Sequence, residues 1–288
     1  MTASEPITLK HIAKKFETGE PIVVVTAYDF ASARAAERAG VDMVLVGDSA
    51  AQVVLGYPNT QAVSVDEMLM LTAAVRRATR HALVVSDLPF GSIELSDEQA
   101  VATAIRFVRE GGADAVKIEG GNEMKISRIR AIVAAGIPVM GHVGLTPQTA
   151  TALGGLRAQG RNETSARQVA DDAVKVSRSG VFAMVIEAVP TEVVDAILPT
   201  LTVPVIGIGA GPANGQVLVH HDLLGITEGS LPKFVRTFAT VGDEMARGIT
   251  EYAAAVREGT FPAEEHMYHA NESAAQAART QAQHSSEH

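Results

Sequence analysis

Seven short apolar runs recur along this chain without the strict alternation of a strand that faces water on one side. They are "IVVVTA" (Ile22–Ala27), "DMVLV" (Asp42–Val46), "ALVVS" (Ala82–Ser86), "DAVKI" (Asp114–Ile118), "IPVMG" (Ile137–Gly141), "FAMVI" (Phe182–Ile186) and "VPVIGI" (Val203–Ile208). Strands covered on both faces read this way, which points to a parallel sheet with helices on either side. A weaker eighth run, "LLGI", falls at Leu223–Ile226. Helical patterns with recognisable ends separate the runs. Ser64 with Glu67, and Ser96 with Gln99, have the spacing of capping boxes, and Gly40, Gly111, Gly136 and Gly180 stand where helix C-caps would precede the next strand. Repeated helix–glycine–strand units imply right-handed βα connections. The strand count favours a closed barrel over an open doubly wound sheet. The expected fold class is therefore α/β, a single (β/α)8 TIM barrel with an N-terminal helix and a C-terminal helical extension. The barrel domain is expected over residues 1–268 of 288, followed by a low-complexity tail over 269–288.

Two stretches break the rhythm. Gly144–Asn162, "GLTPQTATALGGLRAQGRN", has no clear periodicity and reads as a mobile cover over a site. The tail from Ala270 has few large apolar residues, the composition of a disordered segment or of a marginal helix lying on a neighbouring subunit.

Composition narrows the function. Apolar residues make up 47% of the chain and aromatics only 4%, so a large core is built from Ala, Val, Leu and Ile. A net charge of −9 provides no electrostatic footprint for nucleic acid or an anionic membrane, and an anionic substrate would need local positive charge from a lysine, a metal or helix N-termini. The chain has no cysteine, which excludes disulfides, thiolate zinc sites and cysteine nucleophiles. Its first residues mix Lys and Glu without an apolar core, and no apolar run approaches the roughly 20 residues of a membrane span. A cytoplasmic location is expected.

In a barrel of this kind the reactive groups collect at the C-terminal ends of the strands. Asp48 and Ser49 follow the second run, Asp87 the third, Lys117 and Glu119 end the fourth, His142 follows the fifth and Glu187 the sixth. Alternation puts Lys117 and Glu119 on one face of their strand. Asp48 and Asp87, from adjacent strands, either cap the helix or loop after each strand or share a divalent ion. With oxygen ligands and no thiolate, Mg²⁺ is the natural choice. Lys117 suits an ion pair with Glu119 or a substrate carboxylate. Glu187 suits a cap, a solvated position or a general base, and His142 a core position or the site. Such a set fits chemistry on a 2-oxo acid, where a metal offsets the charge of an enolate. "IGIGAGPANGQ" (Ile206–Gln216) resembles a glycine-rich phosphate loop but lacks P-loop spacing.

Taken together, "VTAYDFASARAAERAGVDMVLVGDS" (Val25–Ser49), "SDLPFGS" (Ser86–Ser92), "VKIEGG" (Val116–Gly121), "PVMGHVGLTPQ" (Pro138–Gln148), "GGLRAQGR" (Gly154–Arg161), "VIEAVP" (Val185–Pro190), "VPVIGIGAG" (Val203–Gly211), "GQVLVHHDLLG" (Gly215–Gly225) and "PKFV" (Pro232–Val235) resemble the ketopantoate hydroxymethyltransferase family, in order, up to about Tyr268. The resemblance implies a barrel that moves a hydroxymethyl group from methylene-tetrahydrofolate to 3-methyl-2-oxobutanoate, forming 2-dehydropantoate on the route to pantothenate. Carried over, it makes Asp48 and Asp87 the Mg²⁺ ligands, with Glu119 associated through water. Ser49 and Lys117 become the holders of the substrate carboxylate, and Glu187 the acceptor of the C3 proton, with His142 lining the site. Large homo-oligomers, often decamers, are implied, with small-molecule substrates and no nucleic-acid or membrane partner. The chain departs from the family pattern at Gln61 and Ala62, within "TQAVS" where many relatives read T-L-P-V-T, and at Asn214, where aspartate is usual. A Mg²⁺-dependent carbon–carbon lyase or phosphoenolpyruvate mutase, and a non-enzymatic barrel that binds a 2-oxo acid, are the alternatives; isocitrate lyases rely on a cysteine motif that is absent here.

Overall fold

The computed structural model describes residues 5–286. Its first compact unit, Met1–Ala239, is a closed parallel barrel in the order β1-β2-β3-β4-β5-β6-β7-β8. The strands are β1 (Ile22–Thr26), β2 (Met43–Val46), β3 (Leu83–Asp87), β4 (Ala115–Glu119), β5 (Val139–Gly144), β6 (Ala183–Glu187), β7 (Val205–Ile208) and β8 (Gly215–Leu218). The helices of this unit are α1 (Leu9–Thr18), α2 (Phe30–Ala39), α3 (Ala50–Val53), α4 (Val65–Ala78), α5 (Asp97–Arg109), α6 (Glu123–Ala134), α7 (Glu163–Ser177), α8 (Thr191–Ile197) and α9 (His220–Leu223). The second unit, Thr240–His288, holds α10 (Val241–Glu258) and α11 (Glu272–Ser286). Among the described residues no helix is long and apolar enough to cross a membrane.

The eighth strand is not the one expected. "LLGI" lies in α9 and the turn after it, and the barrel closes through "GQVL", where Gly215 and Leu218 register with Ile22 and Val25 of β1. Only two of its four residues are buried, so its apolar signal is short and diluted by glycine and glutamine. The glycine is required, because a Cβ at Gly215 would sit 2.3 Å from the Ile22 carbonyl oxygen. The capping readings divide as well. Ser64 and Glu67 form the full reciprocal box at α4. At α5, Ser96 caps Gln99 N–H, but the Gln99 side chain accepts from Leu95 instead. The left-handed position after α5 belongs to Gly112 (φ 72°) rather than Gly111, whose missing Cβ makes room for the Phe107 carbonyl and Thr72. The tail expected to be disordered or marginally helical is helical over Glu272–Ser286 with no buried residue, as its alanine and glutamine content favours.

Alternation along the parallel strands sorts every side chain into one of two cores. Val116 and Ile118 of β4 join the layer between barrel and helices, while Ala115, like Leu83 and Val85 of β3, Met140 of β5 and Val185 of β6, faces the barrel axis. Ile12 of α1, only 1% exposed, belongs to that axial core and closes its N-terminal end. One step further along the same inward rows come Asp87, Lys117, Glu119, His142 and Glu187. The axis is thus apolar at one end and charged at the other. In the outer layer, Gly141 lets α7 approach β5: a Cβ there would lie 2.3 Å from Val176 Cγ1, a stiff, fully buried β-branched side chain. Gly141→Ala should therefore lower stability by about 1–3 kcal/mol through overpacking, measured by urea unfolding.

Candidate active site

The charged end of the axis opens into a cavity of about 380 Å³ lined by all seven residues singled out from sequence: Asp48, Ser49, Asp87, Lys117, Glu119, His142 and Glu187. Local sequence explains the placement. β2 ends at Gly47, where a Cβ would stand 2.8 Å from Ser49 Oγ, so the glycine reserves space for that hydroxyl. Ser49 occupies the N-cap position of α3 yet makes no side-chain cap bond. At β6, Glu187 is followed by Ala188 at φ 48°, the one non-glycine residue with positive φ among those described. Such backbone is costly, and it concentrates where a site must be shaped.

Lys117, buried to 4% exposure, sits at the centre. Its Nζ lies 2.7 Å from Asp87 Oδ1, 3.3 Å from His142 Nδ1 and 3.8 Å from Glu119 Oε1. The ion-pair reading for Lys117 thus holds for Glu119, and a closer partner joins it: Asp87, its register neighbour across β3 and β4. Burial alone would push the ammonium toward neutrality, but the charges of Asp87, Glu119 and Asp48 more than reverse this and hold it well above the usual lysine range. His142 stands between two acids, with Nδ1 3.4 Å from Glu119 and Nε2 3.3 Å from Glu187, the latter without hydrogen-bond alignment. Burial and Lys117 oppose its charge, yet Glu119 and Glu187 win, and the imidazole is pushed up to about 9. Its surroundings thus favour the imidazolium, and it lines the cavity rather than the apolar core.

The two strongest carboxylate effects run in opposite directions. Asp48 is raised well above the usual aspartate value by burial and then by the charges of Asp87 and Glu119. Glu119 is equally buried, but its hydrogen bond to and charge pairing with His142, the Lys117 charge and a backbone N–H hold it below the usual value. With Asp222, Arg157 and Lys233 also in the lining, five acids face three fixed cations and His142, so acid is in slight excess. Asp87 Oδ1 also has no aligned hydrogen bond despite its contact with Lys117. Among the described residues, no group of three or more His, Asp or Glu side chains is already gathered in metal-binding array.

Sequence reasoning missed the residue that ties this cluster together. Gln148, 2% exposed in a short turn at Pro147–Thr149, donates its backbone N–H to Glu119 Oε2 (3.0 Å) and its amide Nε2 to Asp48 Oδ2 (2.8 Å) and Leu88 O (3.0 Å). Its own carbonyl accepts Gln61 Nε2 at 2.7 Å. The stretch expected to be a mobile cover does border the cavity, through Leu145, Pro147, Leu156, Arg157 and Ala158, and is anchored there by Gln148. No periodicity marks such a residue; the only signal was its place in the block "GHVGLTPQ". Asn214, the other departure, accepts Val205 N–H through Oδ1 at 2.9 Å, a role in which a carboxylate oxygen would serve equally.

Fold and site together define a (β/α)8 barrel with a buried carboxylate–lysine cluster at its C-terminal rim, the layout of an enzyme rather than of a scaffold. The chain belongs to the ketopantoate hydroxymethyltransferase family, whose model matches residues 6–264. It is 50% identical over 269 residues to a 3-methyl-2-oxobutanoate hydroxymethyltransferase of Moorella thermoacetica, covering 93% of this chain and 100% of that one. It is 51% identical over 259 residues to the enzyme so named in Rhodococcus jostii, covering 90% and 89%. Among solved structures, a phosphoenolpyruvate phosphomutase from Streptomyces platensis shares the fold, with TM-score 0.60, 16% identity and 97% of each chain covered. The mutase and lyase alternative thus shares the barrel, whereas identity across the whole chain lies with the transferases.

Gln148→Leu keeps the main-chain bond to Glu119 but strips Asp48 Oδ2 and Leu88 O of their donor. We expect a stability loss of about 1–3 kcal/mol, read by thermal unfolding, with at least a tenfold fall in turnover because Asp48 loses its orientation.

Proposed function

We propose that this chain transfers a hydroxymethyl group from 5,10-methylene-tetrahydrofolate to 3-methyl-2-oxobutanoate, forming 2-dehydropantoate, with Mg²⁺ as its metal. The reading rests on one conjunction: a chain 50% identical to enzymes named for this reaction carries a cavity whose acids outnumber its cations. The residues fit a hard divalent ion. Asp48, Asp87 and Glu119 offer only oxygen donors, Asp87 Oδ1 lacks an aligned hydrogen bond, and burial beside like charge disfavours the Asp48 anion, a cost that a divalent cation would offset. Bound by these carboxylates, Mg²⁺ would supply the positive charge that makes an enolate accessible.

The chain's own groups supply the remainder. Ser49 and Lys117 hold the substrate carboxylate at the cavity floor. Glu187 takes the C3 proton, with His142 Nε2 lying 3.3 Å from its carboxylate. C3 then attacks the donor's methylene carbon as one of its two C–N bonds breaks, a water oxygen replaces the second nitrogen, and the C3 proton and one water proton end on the nitrogens of the departing tetrahydrofolate. Apolar walls from Leu45, Leu145 and Val185 limit water at the carbanion. We place the reaction in the cytoplasm and in a homo-oligomer of decameric size. A stripe of exposed apolar residues on α10, Met245, Ile249, Tyr252 and Val256, supports assembly, and light scattering of the purified protein checks it.

The central test is C3 exchange. In D₂O with Mg²⁺, the C3 proton resonance of 3-methyl-2-oxobutanoate should disappear, and adding methylene-tetrahydrofolate should yield 2-dehydropantoate. Removing the metal with EDTA should stop exchange, and restoring Mg²⁺ should recover it. Glu187→Gln should slow exchange by about 10²–10⁴ while substrate still binds. Exchange at the native rate in that variant would remove Glu187 as the base; no exchange in the native protein would favour the lyase reading.

A further inference from the structure

Behind Ser49 lies a line of polar groups that take no part in metal binding or proton transfer. The His220 main-chain N–H, at the start of α9, donates to Thr26 Oγ1 at 2.8 Å. Thr26 Oγ1 donates to Tyr28 Oη at 2.8 Å, and Tyr28 Oη lies 2.9 Å from Ser49 Oγ. Thr26 and Tyr28 are 3% and 1% exposed, so water does not intervene.

The direction of each bond follows from proton counting. An N–H only donates, so Thr26 accepts from His220 and spends its own proton on Tyr28. The phenol has one proton, and among the described residues its remaining partner is Ser49. Were Ser49 to donate to Tyr28 instead, the phenol proton would be buried without an acceptor, which native structures avoid. The order therefore runs His220, Thr26, Tyr28, Ser49. Burial holds the phenol well above its usual range despite the Ser49 and Thr26 hydrogen bonds, so it stays a donor. Its backbone N–H is pinned by Ser32 Oγ at 3.1 Å, and its ring rests on that of His221, centroids 5.5 Å apart. Ser49 has no capping duty, and Gly47 leaves its Oγ free of the Cβ that would otherwise stand 2.8 Å away. Its own proton thus has no acceptor in the protein and a cavity in front of it.

We propose that Thr26 and Tyr28 are positioning residues: they form a one-way hydrogen-bond chain from the His220 N–H that presents the Ser49 hydroxyl proton to an anionic oxygen of the substrate. The inference rests on the reading of Ser49 as a holder of the substrate carboxylate. Neutral donors lined up in sequence polarise one another, and an oriented hydroxyl binds an anion without first having to reorganise.

The test is a mutant cycle read by calorimetric titration of 3-methyl-2-oxobutanoate into the full-length protein with Mg²⁺, with thermal unfolding and kcat measured alongside. Ser49→Ala should weaken binding about tenfold and Tyr28→Phe about fivefold to tenfold, and in Tyr28→Phe the loss should appear in KM with kcat within about twofold, as loss of uniform binding requires. The double variant should bind no more weakly than Ser49→Ala, because the phenol acts only through the serine. Thr26→Val should weaken binding in the same direction and Thr26→Ser should restore it. Losses that multiply in the double variant, or native affinity in Tyr28→Phe beside a weakened Ser49→Ala, would overturn the chain while leaving the serine contact standing. Native affinity in Ser49→Ala would remove the contact itself, and the chain with it. If Tyr28→Phe does not fold, equal affinities of Thr26→Val and Thr26→Ser decide against the proposal.

Discussion

The contact between Lys117 and Asp87 governs everything else at the rim. The two side chains face each other across β3 and β4 at 2.7 Å, and both are almost fully buried. A buried ion pair is weak support for stability, since desolvating both charges cancels most of their attraction. Its value here is that it fixes the charge of the pocket. With Lys117 always cationic and His142 held charged between two acids, the pocket still carries more acid than it can neutralise. The excess falls on Asp48, which has a backbone-anchored neighbour, Asp87, accepting its own N–H at 3.0 Å and no cation in contact. Two carboxylates in one cavity are thereby pushed in opposite directions, Glu119 toward ionisation and Asp48 away from it. Separation of this kind distinguishes functional acids from structural ones.

That charge is tolerable only because the same alternation separates it from the apolar axis. The inward rows of β3 to β6 begin with residues such as Leu83, Ala115 or Ala183 and end with a charged one. Ile12 of α1 seals the apolar end, so water meets the barrel interior only through the charged end. Fold stability and chemistry therefore draw on different layers of the same strands. A substitution in the lower layers acts through packing, and one in the upper layer acts through charge and hydrogen bonding.

This division explains what could be read from sequence. Seven strands were legible because two-sided burial writes continuous apolar runs. The rim residues were legible because a charge closing such a run must either meet solvent or serve a site. β8 was not: with a glycine and an exposed Gln216 it has neither the run nor the alternation, and its place is set by closure against β1. Gln148 and Tyr28 were also missed. Both act through hydrogen bonds to residues distant in sequence, Gln148 across one hundred positions to Asp48 and Tyr28 to Ser49, and no local pattern encodes such partners. The Asp87 partner of Lys117 went unread for the same reason. Glu119, two residues away on the same strand, was the visible candidate, whereas the register of β3 against β4 decides the contact.

The departure at Gln61 shows how sequence change reaches a site without altering its chemistry. Gln61 and Ala62 lie in a short turn at Thr60–Ala62, capped by the Asn59 side chain. From there Gln61 Nε2 holds the carbonyl of Gln148, the residue whose N–H and amide orient Glu119 and Asp48. The leucine and proline that the family resemblance sets at these positions would offer no such amide. What the bond adds is a second anchor for the loop over the cavity, made by a side chain where proline would instead stiffen the turn's backbone. Two physical devices, a hydrogen bond or a restricted φ, serve the same end: keeping Gln148 seated so that the acids beneath it stay aimed.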